Sequence, residues 1–290
     1  MTDWKKVNMK YINEGSLYLS FDFLDKWNKE LKALNKKKEG ARYKYPESLI
    51  RFCSAIKICF QIGYRQEQGF LESLQKWIPI PDVISYTQIN RRMNKLGLDL
   101  VKSLANQEDA QIIAVDSTGI KLYNSGEWIR EKHNKRKPFL KLHIAVNVET
   151  KQAVAIEVTE GSVGDSKLGL KLIDKARKIN RVSRGLFDGA YDKYKIWNGM
   201  VARASKPLIR LRKNAVINYK KSEVRSQAIK VYKGNEKEWV KATGFGQRWQ
   251  AESWYSAYKR RFGEHCFSVK RENVLHEILM KACMLNKLIV

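Results

Sequence analysis

Along the first hundred residues, apolar side chains recur every three or four positions, the period of a helix with one face turned inward. Phe23, Trp27, Leu31 and Leu34 mark one such face, and the polar run from Asn35 to Gly40 ends it. Leu49, Ile50, Cys53, Ile56 and Phe60 mark a second, with Pro46 suited to the opening turn, where a missing N–H costs nothing. A third helix is predicted over 66–78. Beyond Pro79 and Pro81, Ser85 or Thr87 can cap a short helix whose polar side presents Gln88, Arg91, Arg92 and Lys95. A basic helix that follows another across a short turn fits a helix-turn-helix DNA reader and, equally, a solvated amphipathic helix.

From about Gln111 the period changes to that of strands. Ile112 to Val115 is a short apolar run closed by Asp116, Phe139 to Val148 alternates, and Gln152 to Val158 forms a third run. Short links between them predict an antiparallel meander. Asp165 and Ser166 then open an amphipathic helix carrying Leu168, Leu172, Ile173 and Ala176. Val182 to Phe187 is a fourth strand, closed by Asp188; a helix over 194–204, a strand from Pro207 to Leu211 and helices near 247–262 and 274–287 complete the chain. This order predicts an α/β fold: a ribonuclease H-like mixed five-stranded sheet with flanking helices, preceded by an all-α region. The division expected is a helical DNA-binding region at 1–108 and a catalytic domain at 109–290. Residues 203–248 carry 13 Lys/Arg against 3 Glu, so a basic insertion is expected within the second domain at about 213–245.

Composition narrows the function. The chain has 56 Lys+Arg against 30 Asp+Glu, a formal charge of +26 that points to a polyanionic partner, nucleic acid foremost. A content of 43% hydrophobic and 11% aromatic residues excludes a disordered basic tail. The cysteines form no C-x-x-C pair, and His265-Cys266 lacks a second ligand pair, which argues against structural zinc. No apolar run approaches the ~18 residues that span a bilayer, so no membrane partner is expected.

The candidate chemistry lies in the acids. Phosphodiester cleavage assisted by two metal ions needs a few carboxylates converging on ions roughly 4 Å apart. Asp116 and Asp188 each close a strand, beside the small or turn-forming residues Ser117-Thr118-Gly119 and Gly189-Ala190-Tyr191. On the helix near 247–262, Arg248, Glu252 and Lys259 are spaced by four and seven and share one face, the pattern of a ligand flanked by two cations or of a salt-bridged surface helix. Trp249 or Trp254 is a candidate for stacking on a displaced base, with core packing the expected role of at least one. Asp192 and Asp165 are expected to cap helices, Glu264 to be solvated and His143 to be a satisfied strand histidine. The basic run from Arg130 to Lys141 is expected to contact the DNA backbone through Lys135, Arg136 and Lys137.

Phe245-x2-Arg248-x3-Glu252-x6-Lys259 resembles the Tyr-x2-Arg-x3-Glu-x6-Lys signature of insertion-sequence DDE transposases, with phenylalanine in the tyrosine position. Ala114-Val-Asp116-Ser-Thr-Gly119 and Leu186-Phe-Asp188-Gly-Ala-Tyr-Asp192 are similar to that family's first and second aspartate motifs. Pro207–Ala215, Tyr64–Leu71 and Thr87–Arg92 resemble further stretches of it, so the likeness spans about 45–290. It implies a DNA transposase of a mobile insertion sequence, catalysing strand cleavage and strand transfer in DNA recombination. Asp116, Asp188 and Glu252 would be at once catalytic residues and ligands of two Mg²⁺ ions, with Mn²⁺ as substitute. Arg248, Lys259, Arg91 and Arg92 would contact DNA. The partners implied are double-stranded DNA, as transposon ends and target, and a second copy of the chain in the synaptic complex. The location implied is a prokaryotic cytoplasm, on the chromosome. An inactive or domesticated transposase that only binds DNA is the alternative.

Overall fold

The computed structural model describes residues 3–104, 110–122, 139–212 and 214–289, and the chain divides into two compact units, Met1–Leu98 and Asp99–Val290. The first unit is helical: α1 (Trp4–Tyr18), α2 (Asp22–Asn35), α3 (Glu47–Phe60), α4 (Tyr64–Leu74) and α5 (Tyr86–Met93). Its core joins Phe23 and Trp27 of α2 to Leu49, Ile50, Phe52, Cys53 and Ile56 of α3, with the Phe23 and Phe52 rings 5.0 Å apart. Gln61, at φ 53, turns the chain out of α3, and the Gln66 side chain caps α4 by accepting the Gly63 N–H at 2.8 Å. α4 stops at Leu74, short of the expected Ile78, because the N–H groups of Trp77 and Ile78 both turn back onto the Leu74 carbonyl. α5 closes the unit by burying Ile89 and Met93.

In the second unit the sheet has the order β3-β2-β1-β4-β5, with β1 at Ala110–Leu122, β2 at Phe139–Asn147, β3 at Ala153–Glu160, β4 at Arg181–Phe187 and β5 at Lys206–Ile209. β1, β2 and β3 run as an antiparallel meander, while β4 and β5 lie parallel to β1. This is the ribonuclease H-like mixed sheet. It carries a sixth strand that the sequence pattern did not predict: β6 (His265–Cys266) pairs with Lys121 and Leu122 at the far end of β1. Two residues are too short to show an alternation.

Helices α6 (Gly169–Arg177) and α7 (Tyr194–Val201) lie on one face, where Leu172, Ile173, Ile196, Trp197 and Met200 meet Ile113, Val115, Phe187 and Ile209 of the sheet. The basic stretch forms two helices, α8 (Glu223–Gly234) and α9 (Glu236–Thr243), each opened by a side-chain cap, Ser222 and Asn235. The chain ends in α10 (Trp249–Phe262) and α11 (Arg271–Ile289). Asn286 of α11 mimics a strand partner: its side chain accepts the Ala153 N–H and donates to the Ala153 carbonyl, both at 2.9 Å. No helix among the described residues is long and apolar enough to cross a membrane.

Glu67 of α4 is fully buried, and burial pushes its carboxyl up to about 8 against the opposing influence of Lys57 and Cys53. The native carboxyl therefore holds a proton that the unfolded chain, near 4.5, releases, and this group costs stability increasingly as pH rises from about 4.5 to 8. Glu67→Gln should stabilise the protein at pH 7 by on the order of 1–3 kcal/mol, with the gain fading below about pH 4.5. Thermal unfolding of both proteins across that pH range checks it; an equal effect at all pH values would contradict the assignment.

Candidate active site

The register of β1 explains how two distant aspartates become neighbours. Its parallel pairing with β4 ends at Val115↔Phe187, so Asp116 and Asp188 are the next residues on adjacent strands. The sequence pattern ended β1 at Asp116; in fact β1 runs on to Leu122, because antiparallel pairing with β2 continues from Asp116↔Ile144 to Lys121↔Phe139. Asp116 thus sits in mid-strand, at the point where its neighbour on one side leaves. Asp188 opens a short 3-10 turn, Gly189–Tyr191, and its carboxylate accepts the Ala190 N–H at 2.9 Å.

Glu252 comes from α10, which is fixed to the sheet at two points. In the middle, the Tyr255 hydroxyl lies 2.9 Å from the Asp116 carbonyl and 2.7 Å from that of Leu142, donating between β1 and β2. At the C-terminal end, Gly263, at φ 76, reverses the chain into β6 and hence onto β1. Glu277 of α11 holds the following turn by accepting the N–H groups of Phe267 and Ser268, and it pairs with Lys281 at 2.8 Å.

Arg248, at the N-terminal boundary of α10, stands between two of the acids. Its guanidinium pairs with Glu252 and lies 3.6 Å from the Asp116 carboxylate. Burial pushes the Asp116 carboxyl up to about 6; the Ser117 N–H and Arg248 pull it back, while Asp188 and Glu252 raise it further. Asp116 therefore feels both other acids, and Arg248 stands between it and Glu252. Among the described residues no three acidic, histidine or cysteine side chains converge as a ready-made metal cage.

Beneath the acids lie two phenols that the sequence pattern did not single out. Tyr191 is buried with no hydrogen-bond partner for its hydroxyl among the described residues, and burial raises its pKa, reinforced by Asp165, Asp116 and Asp188. Tyr255 is raised well above the ordinary phenol range by burial, reinforced by Asp116, Tyr191 and Asp165. Tyr255 lies three residues after Glu252, so helical spacing alone could have marked it. Arg212, whose Nε donates to the Gly189 carbonyl at 3.1 Å, adds a cation beside the Asp188 turn.

Two other expectations, the helix caps at Asp192 and Asp165, are corrected. Asp192 does not cap a helix: it is buried in a two-bond pair with Arg225, at 2.7 and 2.8 Å, and accepts the Trp197 indole N–H. Asp165 does not cap with its side chain; Lys141 holds it at 3.1 Å, with His143 Nδ1 3.8 Å away. His143 is satisfied at one nitrogen only, Nε2 on the Thr159 hydroxyl. Glu264 pairs with Lys121 at 3.2 Å and stands 3.9 Å from Lys259, the last cation of the signature. Phe245 packs on Trp239 and Trp254 stacks on Tyr258 in the core, whereas Trp249 is exposed. Arg91 and Arg92 belong to α5 in the helical unit; Lys135, Arg136 and Lys137 lie outside the described residues.

Asp116 and Asp188 thus stand just past the last paired residues of adjoining strands, and Glu252 faces Asp116 from a helix in a ribonuclease H-like fold. A family model described as "Transposase DDE domain" matches residues 107–287, and the chain belongs to that family of DNA transposases. A second model with the same description matches residues 12–125. Among solved structures the chain is similar to piggyBac transposase in a synaptic complex with hairpin DNA, at 10% identity and a TM-score of 0.44, covering 96% of this chain and 74% of that one. It is also similar to the Drosophila P element transposase strand transfer complex, at 13% identity and a TM-score of 0.38, covering 65% of this chain and 46% of that one.

Because Asp116 bears its charge unwillingly above pH 6, the native state loses stability from this group as pH rises from about 4 to 6. Asp116→Asn should therefore raise the melting temperature of the metal-free protein at pH 7.5 by a few degrees, an effect on the order of 2–3 kcal/mol that disappears near pH 4. Melting curves at the two pH values test this, and a destabilised Asn variant at pH 7.5 would refute the crowding of charge inferred at Asp116.

Proposed function

We propose that this transposase binds the terminal inverted repeats of an insertion sequence and catalyses DNA strand cleavage and strand transfer, with Asp116, Asp188 and Glu252 as its catalytic carboxylates and the ligands of two Mg²⁺ ions. The observation that carries the reading is the register: parallel pairing stops at Val115↔Phe187, one residue before both aspartates, and α10 brings Glu252 within electrostatic reach of Asp116. The donor set suits Mg²⁺ or Mn²⁺, since it consists of carboxylate oxygens, and a cation would offset the charge crowded at Asp116. Arg248 supplies that cation here, between Asp116 and Glu252. When bound, the metal ions supply Lewis acidity to the attacking and leaving oxygens of the phosphodiester.

The chain's own residues do the rest. The Tyr255 hydroxyl holds the backbone at Asp116, and the Ser117 N–H donates to the Asp116 carboxylate at 2.8 Å. Arg248, once released from the acids, and Lys259 are placed to hold phosphates flanking the scissile bond. Trp249, with half its surface exposed near Glu252, is the residue available to stack on an unpaired base. Arg91 contributes to DNA binding from the helical unit, and two copies of the chain act together, one on each transposon end.

The test is cleavage of linear duplex DNA carrying the element's own ends, in Mg²⁺ and in Mn²⁺, by the native protein, Asp116→Asn and Glu252→Ala. Nicking at the ends that falls at least ~10³-fold in both variants while DNA affinity is kept would support the assignment. End binding without cleavage by the native protein in either metal would favour the inactive, DNA-binding alternative.

A further inference from the structure

The helical unit carries two adjoining cavities that share Leu34, Lys38 and Tyr43. The larger, about 700 Å³, lies between the segment after α2 and the polar face of α5, and the smaller, about 420 Å³, lies over the end of α2. Lys38, Arg42, Lys44, Arg91, Arg92 and Lys95 line the larger cavity, and Lys36 and Lys37 extend the series into the smaller one. Glu47 is the one acid among these lining residues, and its carboxylate is already paired with Arg51 at 2.7 Å. Cations gathered in a groove without counter-charge repel one another, and an anion seated there removes that cost.

The groove is built rather than merely charged. Asn35 clamps the backbone of Tyr43 from both sides, donating to its carbonyl at 2.9 Å and accepting its N–H at 2.8 Å. The Tyr43 ring carries Lys38 at 4.9 Å and the Arg92 guanidinium at 5.0 Å. Arg92 also donates to the Tyr45 carbonyl, which ties α5 to the segment after α2. With its ring engaged by the protein's own cations, Tyr43 is not a platform for a nucleic-acid base. By contrast Arg42, Lys44, Arg91 and Lys95 are exposed, and their head groups pair with no carboxylate among the described residues. The two adjoining cavities, about 700 and 420 Å³, are larger than one phosphate fills and suit a run of them.

We infer that this groove seats the sugar–phosphate backbone of duplex DNA, with Arg42, Lys44, Arg91 and Lys95 as the phosphate contacts and Tyr43 and Arg92 as positioning residues. The inference rests on the transposase reading above and changes the expectation for α5. Its polar face, at Gln88, Arg91 and Lys95, turns into a backbone seat rather than toward base edges.

The experiment measures the affinity of the full chain for a short duplex carrying the element's end and for a scrambled duplex, across a range of salt concentrations. The variant Arg42→Ala/Lys44→Ala/Lys95→Ala should weaken both complexes alike, by at least ~10-fold, and lower the salt slope by about one per lost contact. A matched variant, Lys29→Ala/Lys32→Ala/Lys76→Ala, removes the same charge outside the groove and should change little. Tyr43→Phe should keep the affinity that Tyr43→Ala loses. Equal losses in the two triple variants would reduce the effect to net charge, and loss for the end sequence alone would make the groove a base reader; either result overturns the inference. If the native protein binds and cleaves its ends and the groove variant does so equally well, the groove falls while the transposase reading stands. Native protein that binds no DNA would remove both.

Discussion

The Tyr255 hydroxyl carries the constraint on which the rest of the site depends. One phenol reaches the carbonyls of Asp116 on β1 and Leu142 on β2, and so joins the helix bearing Glu252 to the strand bearing Asp116. Such a bond is worth most where water is absent, and Tyr255 is buried. A helix resting on a sheet by apolar contact alone can slide by fractions of an ångström; a buried hydroxyl between two backbone carbonyls fixes both height and rotation. The β6–β1 pairing at the other end of α10 adds a second anchor, and the Glu277–Lys281 pair holds the turn behind it. The helix that carries the third acid is thus tied to the strand that carries the first, although the Glu252 side chain itself is exposed.

That placement works against the stability of the metal-free protein. Burial at Asp116 weakens the solvation of its charge, and Asp188 and Glu252 add repulsion to it. Arg248 offsets part of this from within the same motif, four residues before Glu252. The arrangement has the logic of a site whose proper charge balance is completed from outside: an internal cation relieves the acids without closing a cage around them. Elsewhere the protein pairs its scarce acids tightly, as in Asp192 with Arg225 and Asp174 with Arg203. The crowding at Asp116 therefore stands out against the chain's own habit.

Much of this was legible in the sequence, for identifiable reasons. Periodicity located the strands of the meander and of β4 and β5, because each buries one face or both in a core of branched side chains. Arg248-x3-Glu252 was legible because helical spacing fixes contact between residues four apart. What sequence could not give was register. Nothing in Ile112–Val115 says that β1 continues past Asp116, since that continuation depends on β2 remaining alongside after β4 has ended. The same holds for Asp192: a helix-capping aspartate and a buried ion-paired one look alike until Arg225, 33 residues away, is seen against it. The role of Tyr191 was hidden for the same reason, being made by contacts between elements; helical spacing could have marked Tyr255 but not the two carbonyls it bonds.

The surplus of basic residues takes on a different meaning once it is divided between the two units. In the catalytic unit many cations are answered: Arg225, Arg203, Lys141, Lys121 and Arg248 each meet a carboxylate. Around the segment after α2 and along α5 they meet none beyond Glu47, which Arg51 already engages. A charge of +26 read from composition says only that a polyanion is wanted somewhere. The pairing pattern says where the want is concentrated, because a cation with an internal partner has given up most of its attraction for an external one. By that argument the cations around the segment after α2 and along α5 are the ones left for the proposed DNA partner.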